Sequence, residues 1–154
     1  MPEDIISFID MAIELELGAA RLYNLFAQHC SEDFKFWIQL EMEEKNHAAL
    51  LKAGKAFAGV NKFPSSMIPE NLTQMRESLR QIENGEKKFL ENPTRSRAFD
   101  IAFEIENSAV EMHYQQYMEA ESDDDLAEIF KKLNRADSHH AERIKDYRDS
   151  IANL

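Results

Sequence analysis

The chain has 154 residues, of which 31% are charged and 44% hydrophobic, and it contains only 4 glycines and 4 prolines. One domain is expected at this length, and the scarcity of Gly and Pro argues against collagen-like, linker-dominated and all-β chains. Acidic residues outnumber basic residues 29 to 18, which gives a formal net charge of -11. Such a chain repels nucleic-acid phosphates and anionic lipids, so we expect metal cations as partners, with no nucleic acid and no membrane.

Targeting and redox features are sparse. Cys30 is the single cysteine, which excludes a disulfide or a cysteine-based metal site within one chain. The N-terminal segment MPEDIISFID lacks the basic start and cleavage site of a signal peptide. The sequence also lacks the run of about 18 apolar residues that a membrane-spanning helix needs. We therefore expect a cytoplasmic protein.

Helical periodicity marks four long segments of the chain. The predicted helices cover residues 3–29, 32–58, 95–121 and 123–152. Within each pair the connection is only a few residues long, which is typical of an antiparallel helical hairpin. Residues 59–93 form a long crossover that contains a shorter, more polar helix. The predicted fold is therefore all-α: a single domain over residues 1–154, built as a four-helix bundle of two hairpins joined by one crossover.

The two hairpins resemble each other in sequence. Residues 12–23 align with residues 102–113 at an offset of 90, and residues 40–51 align with residues 133–144 at an offset of 93. Identity is modest, but the same residue classes recur at the same places. Duplicated halves predict a pseudo-two-fold site between them.

A carboxylate interrupts the apolar stripe of each long helix near its middle. In the second and fourth helices a histidine follows three residues later, and residues three apart share a helix face. The six residues are Glu16, Glu44, His47, Glu106, Asp137 and His140. Four acids inside an apolar bundle must be neutralised, and two divalent cations would supply the four positive charges. Carboxylate and imidazole ligands suit iron or manganese.

This arrangement resembles the ferritin-like di-iron carboxylate family, and within it the short rubrerythrin-like members. The matching segments are ELGAARLY at 16–23, EEKNH at 43–47, the glutamate at 106 and DSHH at 137–140. They occur in the order of the family and span essentially the whole chain.

The resemblance implies two iron ions, with manganese or a mixed iron–manganese pair as the alternative. It implies that Glu16 and Glu106 are terminal ligands, that Glu44 and Asp137 are bridging ligands, and that His47 and His140 each give one nitrogen. It also implies an oxidoreductase that reacts ferrous iron with oxygen or peroxide, as a ferroxidase or peroxide scavenger.

Three departures from the family pattern are visible. Asp137 stands where the family usually has Glu, Ala109 replaces an extra carboxylate of rubrerythrins, and His113 replaces their second tyrosine. The chain also lacks a rubredoxin domain with its four cysteines, so electrons would come from an external donor.

Two alternatives belong to other classes of function: a metal-binding or iron-handling protein without turnover, and a metal-free structural or interaction bundle. For Tyr23 the alternatives are a core tyrosine and a hydroxyl that hydrogen-bonds a bridging carboxylate near the metal. Cys30, Glu41 and Glu43 are expected on outer faces or at helix ends.

A second apolar face predicts a homodimer. Its residues lie off the main apolar stripes and include Ile13, Leu17, Leu22 and Phe103.

Overall fold

The computed structural model describes residues 3–58, 72–107 and 140–151. Every regular element within these ranges is helical, so the prediction of an all-α chain is confirmed. The elements are α1 (Glu3–His29), a 3₁₀ turn (Ser31–Asp33), α2 (Phe34–Ala58), α3 (Leu72–Glu91), α4 (Arg95–Glu106) and α5 (His140–Ser150).

The helix ends agree closely with the periodicity where the structure describes them. The bounds of α1 are those predicted, whereas α2 starts two residues late because Ser31–Asp33 forms a 3₁₀ turn. Thr94 caps α4, since its hydroxyl accepts a hydrogen bond from the Arg97 amide at 3.3 Å. Residues 108–139, which include the predicted continuation of this helix and the start of the fourth, lie outside the described residues.

The helices α1 and α2 form the predicted antiparallel hairpin. Near the start of α1, Asp10 pairs with Lys55 at 2.6 Å, and near its end Asn24 donates a hydrogen bond to Glu41 at 3.0 Å. The start of α1 therefore lies beside the end of α2, and the end of α1 lies beside the start of α2, so the two helices are antiparallel.

The crossover helix α3 lies against α1 and α4 at glycines. A Cβ on Gly18 would lie 3.3 Å from Ile82, and a Cβ on Gly85 would lie 2.8 Å from Ile101. Such close approach between helices requires small residues at the contact.

The apolar residues that predicted a dimer are therefore largely covered within one chain. Ile13 and Leu22 are buried, and Leu17 and Phe103 are partly buried against the core. Because α3 packs over α1, these residues no longer require a second copy of the chain. The homodimer stays a prediction.

Among the described residues, the core forms two apolar clusters with a polar boundary between them. Along α1 the first cluster ends at Leu15 and the second begins at Ala19; along α2 the second ends at Leu40 and the first resumes at Ala48. The two apolar clusters thus meet at the middle of α1 and of α2. The predicted site residues of these two helices lie between the clusters.

A cluster of ion pairs and hydrogen bonds around Asp33 links the ends of several helices. The buried Asp33 accepts two hydrogen bonds from Arg95, both at 2.7 Å, and a third from the Tyr147 hydroxyl at 3.0 Å. Asp33 precedes α2, Arg95 opens α4 and Tyr147 lies in α5, so one carboxylate orients three elements. None of the described helices is long and apolar enough to cross a membrane.

Candidate metal centre

Every predicted site residue that the structure describes is buried, so these acids do not lie on the outer surfaces of their helices. The largest exposed fraction in the set is 8%, at Glu16. The metal-ligand candidates described are Glu16, Glu44, His47, Glu106 and His140. The sixth, Asp137, lies outside the described residues, as does His113.

The first group of candidate ligands joins α1 to α2. His47 Nδ1 lies 3.3 Å from Glu44 Oε2 and 3.5 Å from Glu16 Oε2. One donor atom from each of the three residues lies within 4.8 Å of the others. The i,i+3 spacing of Glu44 and His47 in α2 places both on the face that meets α1.

The second group joins α2 to α4 and α5. His140 Nδ1 lies 2.9 Å from Glu44 Oε1 and 3.6 Å from Glu106 Oε1. These three donor atoms also lie within 4.8 Å of one another.

Glu44 belongs to both groups and presents a different oxygen to each. Its Oε2 faces His47 and its Oε1 faces His140, while the two imidazole rings lie nearly parallel with centroids 5.6 Å apart. The two groups are therefore neighbours around one carboxylate, as expected of a ligand shared between two ions.

The electrostatic surroundings of this cluster favour bound positive charge. Burial, followed by the adjacent Glu44 carboxylate, raises the pKa of Glu16 well above its ordinary value. Burial alone would lower the pKa of His140, but the neighbouring Glu106 and Glu44 carboxylates outweigh it and raise the pKa to about 11. The cluster therefore attracts positive charge, which protons or metal cations can supply.

The donor set fits divalent metal ions. Although His140 Nδ1 lies close to Glu44, the contact lacks hydrogen-bond geometry, and this buried nitrogen has no hydrogen-bond partner in the described part of the chain. A buried nitrogen without a partner is costly unless a ligand satisfies it. Nitrogen and carboxylate donors around a shared Glu suit iron, manganese or another divalent ion of similar preference.

Glu43 hydrogen-bonds the His140 ring on the side away from the second group. The sequence pattern does not predict this role for Glu43. Its Oε2 lies 2.7 Å from His140 Nε2 and accepts a hydrogen bond from Arg143 at 2.6 Å. Burial alone would raise the pKa of Glu43, but the hydrogen bonds from Arg143 and His140 outweigh it and lower the pKa. Because Glu43 engages Nε2, Nδ1 is the nitrogen that faces Glu44 and Glu106.

The Tyr23 hydroxyl contacts one of the candidate ligands. The side chain is fully buried, and its hydroxyl donates to Glu106 Oε1. By the family resemblance Glu106 would be a terminal ligand, and Asp137, which would be a bridging ligand, lies outside the described residues. A contact between Tyr23 and a bridging carboxylate therefore stays a prediction.

Two residues assigned to outer faces or helix ends are buried away from these contacts. Glu41 is held by hydrogen bonds from Lys45 and Asn24, at 2.6 and 3.0 Å, and Cys30 is 4% exposed at the α1–α2 connection. Burial and desolvation raise the pKa of the Cys30 thiol, which disfavours the reactive thiolate.

No protein-family model matches the chain, and neither the curated proteins nor the solved structures contain a match to it. The chemistry of the buried groups is therefore the basis for assigning a function. Two adjacent sets of nitrogen and oxygen donors could hold metal ions.

Proposed function

We propose that this protein is a two-metal carboxylate oxidoreductase of the ferritin-like, rubrerythrin-like type. It would react ferrous iron with dioxygen or peroxide, as a ferroxidase or peroxide scavenger. The observation that supports it most strongly is the sharing of Glu44, whose two oxygens face two separate buried Glu/His groups.

The residues divide into two ligand sets. Glu16 and His47 would hold one ion, Glu106 and His140 would hold the other, and Glu44 would contact both. Asp137 keeps its place as a second bridging ligand by the family resemblance alone. Two ferrous ions held in this way would supply one electron each to dioxygen or peroxide.

The chain's own side chains prepare the site for this chemistry. Burial excludes water from the donor atoms, which strengthens electrostatic interactions at the centre. Tyr23 holds Glu106, and Glu43 holds the His140 ring. Cation binding would compete with protons at Glu16 and His140, because the surroundings of both groups raise their pKa values.

One observation favours a second candidate, a metal-free helical bundle. Protonated Glu16 and protonated His140 can balance part of the buried negative charge without a cation. In that case the cluster is a proton-compensated core network and the bundle has a structural or interaction role.

The test is anaerobic loading with ferrous iron, removal of free metal, and measurement of iron per chain before oxygen or peroxide is admitted. The proposal predicts retained iron, followed by oxidant consumption and near-ultraviolet absorption of ferric iron. Glu44→Gln should lose both, whereas Glu41→Gln, which changes the same charge on the same helix, should keep both. Retained iron that does not react would support the iron-handling alternative. A protein that retains no iron would support the metal-free bundle.

A further inference from the structure

A chain of aromatic side chains leads away from the candidate metal centre. Tyr23, which hydrogen-bonds Glu106, stacks on Trp37 with centroids 5.7 Å apart and planes at 21°. Trp37 meets Phe36 at 5.0 Å, and Phe36 stacks on Tyr147 at 4.1 Å with planes at 7°. Phe99 gives a parallel route, 4.9 Å from Trp37 and 5.8 Å from Tyr147.

The two ends of this chain differ in their access to solvent. Tyr23 and Trp37 are fully buried, whereas Tyr147 is only half-buried. The series therefore runs from a carboxylate of the candidate centre to a phenol that solvent can reach.

The polar atoms along the chain suit one-electron transfer. Each terminal phenol donates to a carboxylate, Tyr23 to Glu106 and Tyr147 to Asp33. Trp37 Nε1 is buried and has no hydrogen-bond partner among the residues that the structure describes. An oxidised indole without a proton acceptor stays a radical cation, which remains a strong oxidant of a nearby phenol.

We propose that Trp37 and Tyr147 form a one-electron relay between the Tyr23–Glu106 edge of the candidate metal centre and the protein surface. The relay rests on the proposed function, because it would deliver electrons to the centre of such an oxidoreductase. Phe36 and Phe99 fill the space between the two redox-active rings.

The steps balance as follows in electrons and protons. Once dioxygen or peroxide has oxidised the centre, Trp37 would give one electron to it. Tyr147 would then give one electron to Trp37 while its hydroxyl proton moves to Asp33 Oδ1. A small one-electron reductant in solution, such as ascorbate, returns the electron to Tyr147, and Asp33 returns the proton. The net result would be one electron moved from the reductant to the centre and no change in the protons of the relay, while the proton that ascorbate loses on oxidation goes to solvent.

The relay can be tested in the full-length protein without metal. Trp37 is the only tryptophan among 154 residues that include 4 tyrosines, so a flash at the long-wavelength edge of indole absorption ionises it selectively. Replacing Tyr23, Tyr114 and Tyr117 by Phe leaves Tyr147 as the sole tyrosine, and transient absorption separates indole from phenoxyl radicals. The matched control adds Tyr147→Phe, which removes the phenol but keeps the ring on Phe36.

The relay predicts that a phenoxyl radical grows in as the indole radical decays in the variant that retains Tyr147, and that this signal is lost in the control. Decay of the indole radical without a phenoxyl signal in that variant would overturn it. If the multiple variant does not fold, the phenoxyl yield of the single variant Tyr147→Phe is compared with that of the unmodified chain. A lower phenoxyl yield than in the unmodified chain supports the relay, and an unchanged yield overturns it.

Because this experiment contains no metal, it separates the two proposals. A chain that transfers the electron supports the relay whether or not it retains iron. A chain that retains and oxidises iron but shows no phenoxyl from Tyr147 keeps its proposed function and loses the relay.

Discussion

Removing the Glu43 carboxylate should weaken one of the two candidate metal sites and spare the other. Glu43 is 2.7 Å from His140 Nε2 and also accepts a hydrogen bond from Arg143, so Glu43→Ala frees the imidazole to rotate and to exchange its protonated nitrogen. Loss of such an outer partner of a ligating histidine typically costs about 10–100-fold in metal affinity, or roughly 1.4–2.7 kcal/mol. Because the contacts of Glu43 are with His140 and Arg143, the Glu16/Glu44/His47 group should keep its affinity.

The assay is an anaerobic titration with ferrous or manganous ion, followed by calorimetry. Glu43→Ala should turn two comparable binding events into one unchanged and one weakened event. The matched control is Glu41→Ala, which also removes a carboxylate with two partners from α2 but touches Lys45 and Asn24 instead of His140. The reasoning is refuted if Glu41→Ala weakens binding as much as Glu43→Ala, or if both events weaken equally in Glu43→Ala.

Three further predictions concern pH and stability. Folding raises the pKa of His140 from 6.5 to about 11, so its contribution to the stability of the metal-free protein is complete below pH 6.5 and is lost towards pH 11. Urea unfolding between these pH values should show a free energy of unfolding that falls by at most ~1.4 kcal/mol per pH unit. This fall should be smaller in His140→Gln. Asp33→Ala should lower the free energy of unfolding by roughly 1–3 kcal/mol, since it removes the buried acceptor of hydrogen bonds from Arg95 and Tyr147 and leaves Arg95 only its contact with Glu32. A loss no larger than that of an ordinary surface substitution would contradict the role of Asp33 in linking three elements. Gly85→Ala should destabilise the protein by ~1–3 kcal/mol, because the new Cβ would lie 2.8 Å from Ile101 and overpack the contact. Gly18→Ala should cost less, because its Cβ would lie 3.3 Å from Ile82 and alanine has the better helix propensity. Thermal melts that rank the two variants in the opposite order would refute this packing argument.

The periodicity of the sequence predicts much of the fold because amphipathic helices repeat at a fixed spacing. The apolar stripe of α1 already shows that Glu16 faces inwards, and the same argument places Glu44 and His47 on one face of α2. Those inferences need only the geometry of a single helix.

The contacts that the sequence could not predict depend on how helices are placed against one another. Glu43 is next to Glu44 in sequence but about 100° round the helix, so only the position of α5 brings it to His140. Leu22 could equally have faced another copy of the chain, and only the docking of α3 shows that it is covered internally. The sequence shows Glu41 only as an acid on a polar helix face, whereas the structure shows that Asn24 and Lys45 hydrogen-bond its carboxylate.

The most direct test of the central claim is anomalous X-ray diffraction at the iron edge from crystals grown with ferrous iron under anaerobic conditions. The account predicts two anomalous peaks in the core, one beside Glu16 and His47 and the other beside Glu106 and His140, with Glu44 between them. Peaks confined to surface acids, or a core without a peak, would contradict it.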